Sequence, residues 1–269
     1  MKRNLKNPLE IFKLLEKSNC RLCGEKTCLA FASAVFTGKR KLPECPQLPA
    51  EIIAQFVEEP EDRQANEPGF EYIAKLKSEV GLIDLASAAA RAGGVFSNGR
   101  LTLKVLGKDF SIDSQGNIYT DIHINPWITV PFLNYILYGE GLPVADKWVS
   151  LRELKTGRAR HQFFQKQCEE PMRRVADVYP DLFNVIVQLF SGRRVAKHLD
   201  SDISVVLHPL PKVPIMICYW LPDDGLDSIL HVFFDETADR NLDTDSVFTL
   251  GTGIANMFKK FVLRHGVAA

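Results

Sequence analysis

Four of the six cysteines in this 269-residue chain fall within its first 45 positions, and their spacing restricts what that stretch can fold around. They read Cys20-x2-Cys23-x4-Cys28-x16-Cys45, so three thiols lie within nine residues and a fourth returns after a longer excursion. Three sulfurs so close in sequence can converge on one small object, and the fourth can complete the set. A four-iron, four-sulfur cluster asks for one thiolate per iron. A zinc site more often reads as two C-x2-C knuckles, whereas this chain has one such pair and two cysteines standing singly. Structural disulfides are disfavoured, because Glu10, Lys13 and Glu16 interrupt any secretory-signal core. The spacing therefore predicts a [4Fe-4S] cluster on Cys20, Cys23, Cys28 and Cys45.

The residues between the cysteines fit that purpose. Gly24 allows a tight turn close to the cluster, and Cys28 opens a predicted helix over 29–37, whose first N–H groups would face an anion. Pro46 keeps the segment after the last cysteine extended. Upstream, Asn7-Pro8-Leu9-Glu10 reads as a capped helix start, and Ile11, Leu14 and Leu15 make an apolar stripe to lie on the cysteine loop. Gly38 ends the second helix, Lys39-Arg40-Lys41 leads to Cys45, and Ala50–Val57 predicts a further short helix.

Charge divides the chain where its total does not. The formal net charge is zero, yet residues 1–45 hold ten Lys/Arg against four Asp/Glu, and residues 46–70 hold one against six. A basic setting favours the more reduced form of an anionic cluster and raises its potential. Lys39, Arg40 and Lys41 are candidates for a partner-docking patch. Residues 58–69 are acidic, contain Pro60 and Pro68, and predict a linker between a cluster module (1–57) and a body (70–269).

The body reads as α+β with antiparallel sheet. An apolar helical pattern runs from Phe70 to the Gly93-Gly94 stop, and alternating residues between Leu101 and Ile118 predict short hairpin strands. Helices are expected over 131–138, 162–168, 171–179 and 180–190, the last two opened by prolines. Then 203–207, 213–221 and 229–234 predict an antiparallel meander closed by a helix over 247–263. No phosphate loop, H-E-x-x-H or G-x-S-x-G motif occurs, and Gly251-Thr-Gly253 reads as close helix packing. No apolar run is long enough to span a bilayer, a cytoplasmic chain is expected because exposed thiolate clusters survive best there, and no basic, aromatic platform points to nucleic acid.

The first 50 or so residues resemble the small four-iron domain of the corrinoid iron–sulfur protein large subunit, and a similar module in the cluster-bearing subunit of the Rnf electron-transport complex. The residues that carry it are Asn19-Cys20-Arg21-Leu22-Cys23-Gly24, Cys28-Leu29-Ala30-Phe31-Ala32, Gly38 and Cys45-Pro46-Gln47-Leu48. Arg21 and Leu22 stand where those families usually carry glycine. The resemblance implies a low-potential electron carrier of anaerobic one-carbon or corrinoid metabolism, with a redox or corrinoid protein as partner. The body resembles an uncharacterised domain family found behind such modules, through Trp148–Leu154, Leu210–Ile215 and Phe233–Asp235. That resemblance implies no activity.

Two further expectations concern the body. Cys168 and Cys218 lie in apolar patterns and read as buried core thiols. His231 and Asp235 share one face of a predicted strand, and His208 on a neighbouring strand is a candidate to join them in a second metal or tetrapyrrole site. The expected function is a redox accessory protein. An enzyme whose body binds a corrinoid or small molecule that the cluster reduces is the alternative, as is a factor that assembles metal centres.

Overall fold

Residues 8–36, 40–53, 68–179 and 181–265 are described by the computed structural model. The chain divides into two units, residues 1–66 and 67–269. Asn7, Gly38, residues 54–67 with most of the expected linker, and Pro180 lie outside the described residues.

In the first unit Pro8 opens helix α1 (Pro8–Leu14), Cys28 opens α2 (Cys28–Phe36), a 3-10 turn spans Leu42–Glu44, and α3 covers Ala50–Ile53. Ile11 and Leu15 meet Phe31, Ala32 and Val35, with Leu42, Cys45 and Leu48 returning from the closing loop. Cys23 and Cys28 pack against the same small core.

The second unit begins with α4 (Pro68–Val80) and α5 (Leu85–Ala92), where the sequence pattern read as one helix. Asp84 divides them: its carboxylate accepts from the Ala86 and Ser87 N–H groups at 3.3 and 3.1 Å, which starts a new helix. Strands β1 (Val95–Ser97), β2 (Arg100–Val105), β3 (Lys108–Asp113) and β4 (Ile118–Thr120) then form an antiparallel sheet in sequence order. Leu101 lies opposite Ile112 and Leu103 opposite Phe110, so the alternating apolar residues share the buried face. In the β2–β3 turn Leu106 is left-handed at φ 48°, and its N–H donates to the His208 carbonyl at 3.0 Å. Gly107 follows at φ 78°, and a Cβ there would collide with Ser191.

Helix α6 (Pro126–Tyr138) starts a turn earlier than the pattern indicates, with Pro131 inside it. After β5 (Trp148–Ser150), α7 (His161–Phe164) and α8 (Glu170–Val178) are joined by a π-helical turn, Gln165–Glu169. Then come α9 (Leu182–Leu189), β6 (Arg193–Arg194), β7 (Ile203–Leu210), β8 (Val213–Trp220), β9 (Ile229–Asp235), α10 (Ala238–Asn241) and α11 (Thr244–His265). The expected meander β7-β8-β9 forms the centre of a five-stranded sheet of order β5-β9-β8-β7-β6. Its two edge strands span three and two residues, too short for a period to show in sequence.

Val205, Leu207, Ile215, Ile217, Val232 and Phe234 enter the main core, while Val206, Met216 and Cys218 form a second apolar layer on the other face with Phe233 and Trp220. Burial on both faces explains why these strands read as continuous apolar runs. Gly251 lets α11 approach Phe164, since a Cβ there would lie 2.5 Å from its ring, and Gly253 faces Trp127 in the same way. Both glycines therefore serve helix packing, as expected.

Candidate metal centre

The cysteine loop is shaped by left-handed backbone. Lys17, Asn19, Arg21 and Gly24 have φ of 60°, 51°, 62° and 81°, which curls residues 17–24 tightly ahead of α2. Asn19 has a reason to adopt this form, being among the residues that tolerate it. Its side-chain oxygen accepts the Cys28 N–H at 2.8 Å, and its own N–H points at the Cys28 sulfur at 3.3 Å. Thr27 accepts the Ala30 N–H at 3.0 Å, satisfying an unpaired donor at the start of α2.

All four cysteines line one cavity, floored by Leu15 and Phe31. Cys20 is exposed, Cys23 and Cys28 are partly buried, and Cys45 is buried at the end of the 3-10 turn. The Cys45 thiol is pushed above its ordinary pKa, first by burial. The Gln47 N–H opposes that, and the nearness of Cys23, Cys20 and Cys28 adds to it. Burial and the neighbouring thiols thus both oppose ionisation of Cys45, which a cationic centre would relieve. A single tetrahedral zinc would hold its sulfurs about 3.8 Å apart, as follows from Zn–S bonds of about 2.3 Å. Among the described residues, no three His, Cys, Asp or Glu side chains are grouped to hold one ion. Four thiols lining one cavity match, in donor type and number, what a four-iron cluster asks for.

Arg40 has a place that sequence reasoning did not find. Its guanidinium binds Glu44 at 2.9 Å and Glu25 at 3.5 Å, so it ties the turn after Cys23 to the turn before Cys45. The two carboxylates raise its pKa, Glu44 foremost. Gly24 leaves room for it, since a Cβ there would lie 3.1 Å from an Arg40 nitrogen. Glu44 also accepts the Lys41 N–H at 2.8 Å. Of the three expected docking residues, Arg40 is thus an internal tie, Lys41 is exposed, and Lys39 lies outside the described residues. The acids at positions 25 and 44, flanking the ligand positions, were the available signal.

The second expected site is not assembled. Asp235 is fully buried, and its carboxylate accepts from the Ala145 N–H at 3.0 Å and from the Thr237 N–H and hydroxyl at 3.0 and 2.6 Å. Those donors use its oxygens to anchor the 139–147 loop. His231 lies on the same strand face four residues away, and its Nδ1 is engaged by the Glu169 carboxylate at 3.3 Å. Cys218 stands between Ser204 and His231 in the sheet, and His208 lies four residues beyond Ser204, roughly 13 Å along the strand at 3.3 Å per residue. Burial and the Arg193 charge lower the His208 pKa. Cys168 and Cys218 are fully buried, and burial raises both thiols.

The motif residues of the body prove to be fasteners. Lys212 donates to the carbonyls of Arg91 at 2.7 Å and Gly141 at 2.6 Å, placing a cation on the C-terminal end of α5. Glu153 accepts the Ser150 N–H at 2.8 Å and closes a capping box after β5.

A family model described as "Domain of unknown function (DUF3786)" matches residues 84–257. The chain belongs to the DUF3786 family. Ahead of the DUF3786 region, a model described as "Putative Fe-S cluster" matches residues 15–47, the span that holds all four clustered cysteines. This DUF3786 protein is 46% identical over 44 residues to the acetyl-CoA decarbonylase/synthase complex subunit gamma of Methanosarcina acetivorans, covering 16% of the chain and 9% of that subunit. It is 55% identical over 38 residues to the corrinoid/iron-sulfur protein large subunit of Moorella thermoacetica, covering 14% of the chain and 8% of the relative. The chain thus spans about a tenth of the length of these curated relatives, and only its N-terminal unit resembles them. No solved structure matches it at a significant level. No helix among the described residues is long and apolar enough to cross a membrane.

Proposed function

We propose that this chain is a redox accessory protein that passes electrons, through a [4Fe-4S] cluster on Cys20, Cys23, Cys28 and Cys45, to a protein partner in anaerobic one-carbon metabolism. The observation that carries the reading is the convergence of four thiols on one cavity inside the segment that matches the iron–sulfur model. The metabolic setting rests on the relatives, which by name are subunits of an acetyl-CoA decarbonylase/synthase complex and a corrinoid/iron-sulfur protein. The likeness ends with the module, so the body is the part left to recognise a redox or corrinoid protein partner.

When bound, the cluster supplies one-electron exchange. The chain's own residues prepare for it. The Asn19 N–H is directed at the Cys28 sulfur, and the Gln47 N–H favours the thiolate form of Cys45 against burial. The Leu15 and Phe31 side chains keep one side of the cavity apolar. Arg40 fixes the two cysteine turns to one another.

The test is anaerobic reconstitution of the full chain, with iron and sulfide analysis, electron paramagnetic resonance after reduction, and stopped-flow mixing with a candidate corrinoid protein. About four irons per chain, a reducible signal and its decay on mixing are expected. One zinc per chain without visible charge-transfer absorption rejects the cluster. A stable cluster that no partner oxidises rejects the carrier role.

A further inference from the structure

Away from the cysteines, the second unit opens a cleft of about 490 Å³ between the helical run Gln162–Arg173 and the start of β9, Ser228–His231. Small-molecule pockets are clefts of about 300–1,000 Å³. Three features distinguish this cleft from a gap between a helix and a sheet.

The helix beside it carries the π-helical turn, and single widened turns of this kind recur at functional sites. The turn ends on Glu169, which is only 5% exposed. Its carboxylate accepts the Val232 N–H at 2.9 Å and stands 3.3 Å from His231 Nδ1. Strand β5 ends at Ser150 opposite Phe233, so the carboxylate takes the place of the strand that does not reach Val232. With Nδ1 engaged, Nε2 is the remaining polar atom of a side chain that lines the cleft and is 43% exposed.

The polar seam continues along α8 at four-residue spacing. Arg173 donates to Ser228 at 3.1 Å and to Asp177 at 3.2 Å, while the Ser228 and Tyr219 hydroxyls donate to Asp177 at 2.5 and 2.7 Å. The Arg173 charge is therefore offset by Asp177, and Glu170 is offset by Arg174 at 3.6 Å. Lys166 lines the cleft without an ion-pair partner among the described residues. Glu169 raises the His231 pKa, against the effect of burial, which favours the doubly protonated ring.

We infer that this cleft binds a small carboxylate or phosphate anion through His231 Nε2–H and the Lys166 ammonium, with Glu169 as the positioning residue that holds the imidazole. An imidazole N–H and an ammonium lining one cleft offer such a group two donors, at least one of them charge-assisted. Carboxylate and phosphate share this chemistry and are separated by the experiment. The inference does not rest on the cluster.

The test follows the His231 ring Cε1–H signal by NMR in the full chain, assigned with His231→Gln, at constant pH and ionic strength. Sodium acetate and inorganic phosphate are titrated in separate arms. At least one should shift the signal saturably, and the arm that saturates at the lower concentration names the group. Lys166→Ala should weaken that binding about tenfold, the loss of one charge-assisted bond. Glu169→Gln should abolish the saturable shift. Lys166 is exposed, so its variant reports even where the Glu169 variant does not fold. A signal that never saturates in either arm overturns the inference, as does equal affinity in the wild type and Lys166→Ala.

Discussion

The two units of this chain solve the problem of staying folded differently. The second buries a continuous core in which Phe110 packs on Phe132 at 4.6 Å between ring centres and Phe164 on Phe234 at 5.7 Å, with both faces of its five-stranded sheet covered. Among its described residues the first buries Ile11, Leu15, Phe31, Ala32, Val35, Leu42 and Leu48, and the remaining member of that core is a cysteine of the candidate centre. A core that small does not hold a domain without a staple. The difference teaches that the thiols belong to the fold of the first unit as much as to its chemistry, whereas the second unit is held by apolar burial.

The largest expected effect comes from breaking the first unit at its staple. Replacing Cys28 or Cys45 by Ala should remove the cluster and expose the backbone amides of α1 and α2 to rapid hydrogen exchange, since metal binding and folding are one equilibrium in small sites. The amides of β7, β8 and β9 should stay protected. Cys168→Ala and Cys218→Ala should keep the cluster. Loss of protection throughout the chain on removing one cysteine ligand would erase the distinction between the units.

The converse experiment breaks the second unit by overpacking. Gly251→Ala sets a methyl 2.5 Å from the Phe164 ring, which itself touches Phe234 and Phe248. A cost of about 1–3 kcal/mol is expected. At about 2–4 °C per kcal/mol for a unit of this size, the main thermal transition should fall measurably. The iron content should be unchanged. A lost cluster with an unmoved transition would mean that the two units have been assigned the wrong supports.

Much of this architecture was legible in the sequence, and what was not has identifiable reasons. The cysteine array, the central meander and the closing helix show themselves because their signals are local: a spacing, a run of β-branched residues, a period. The break at Asp84 was missed because the apolar pattern continues through it and only a capping carboxylate interrupts the helix. β5 and β6 were missed because such short strands exist only through their neighbours. Asp235 was read as a possible ligand from its strand face. Its actual donors, Ala145 and Thr237, sit on segments whose approach no periodicity announces. Glu169 meets His231 across 62 residues of chain, and only the four-residue spacing of Glu169, Arg173 and Asp177 hinted at a polar helix face.

A smaller effect should follow from untying the cysteine turns. Arg40→Ala removes the link between Glu25 and Glu44 while leaving every thiol in place. The cluster should still assemble, but its absorption should decay faster under a chelator, and Arg40→Lys should restore stability only in part because an ammonium cannot span both carboxylates as a planar fork does. Decay at the wild-type rate would leave Arg40 a surface charge and return it to the docking patch.

The smallest effect concerns docking itself, and the place of Arg40 changes how it must be measured. A variant that reverses Lys39, Arg40 and Lys41 together would mix partner recognition with damage to the cluster turns. Lys39→Glu/Lys41→Glu leaves the tie intact. The Lys41 side chain is exposed, lies between α2 and Cys45 in the chain, and is not among the residues lining the cysteine cavity. Charges at such a rim act chiefly on association rate, and salt screens them over about 10 Å at 0.1 M. If an acidic partner surface is steered here, the double variant should slow electron exchange at low salt by a few-fold, with an unchanged cluster spectrum, and the two proteins should converge in rate as salt rises. Equal rates at low salt would leave these lysines as solubilising charges. A slower rate that salt does not narrow would point to contacts made after encounter, and recognition would then belong to the surface of the second unit, where apolar burial has already fixed the shape a partner must fit.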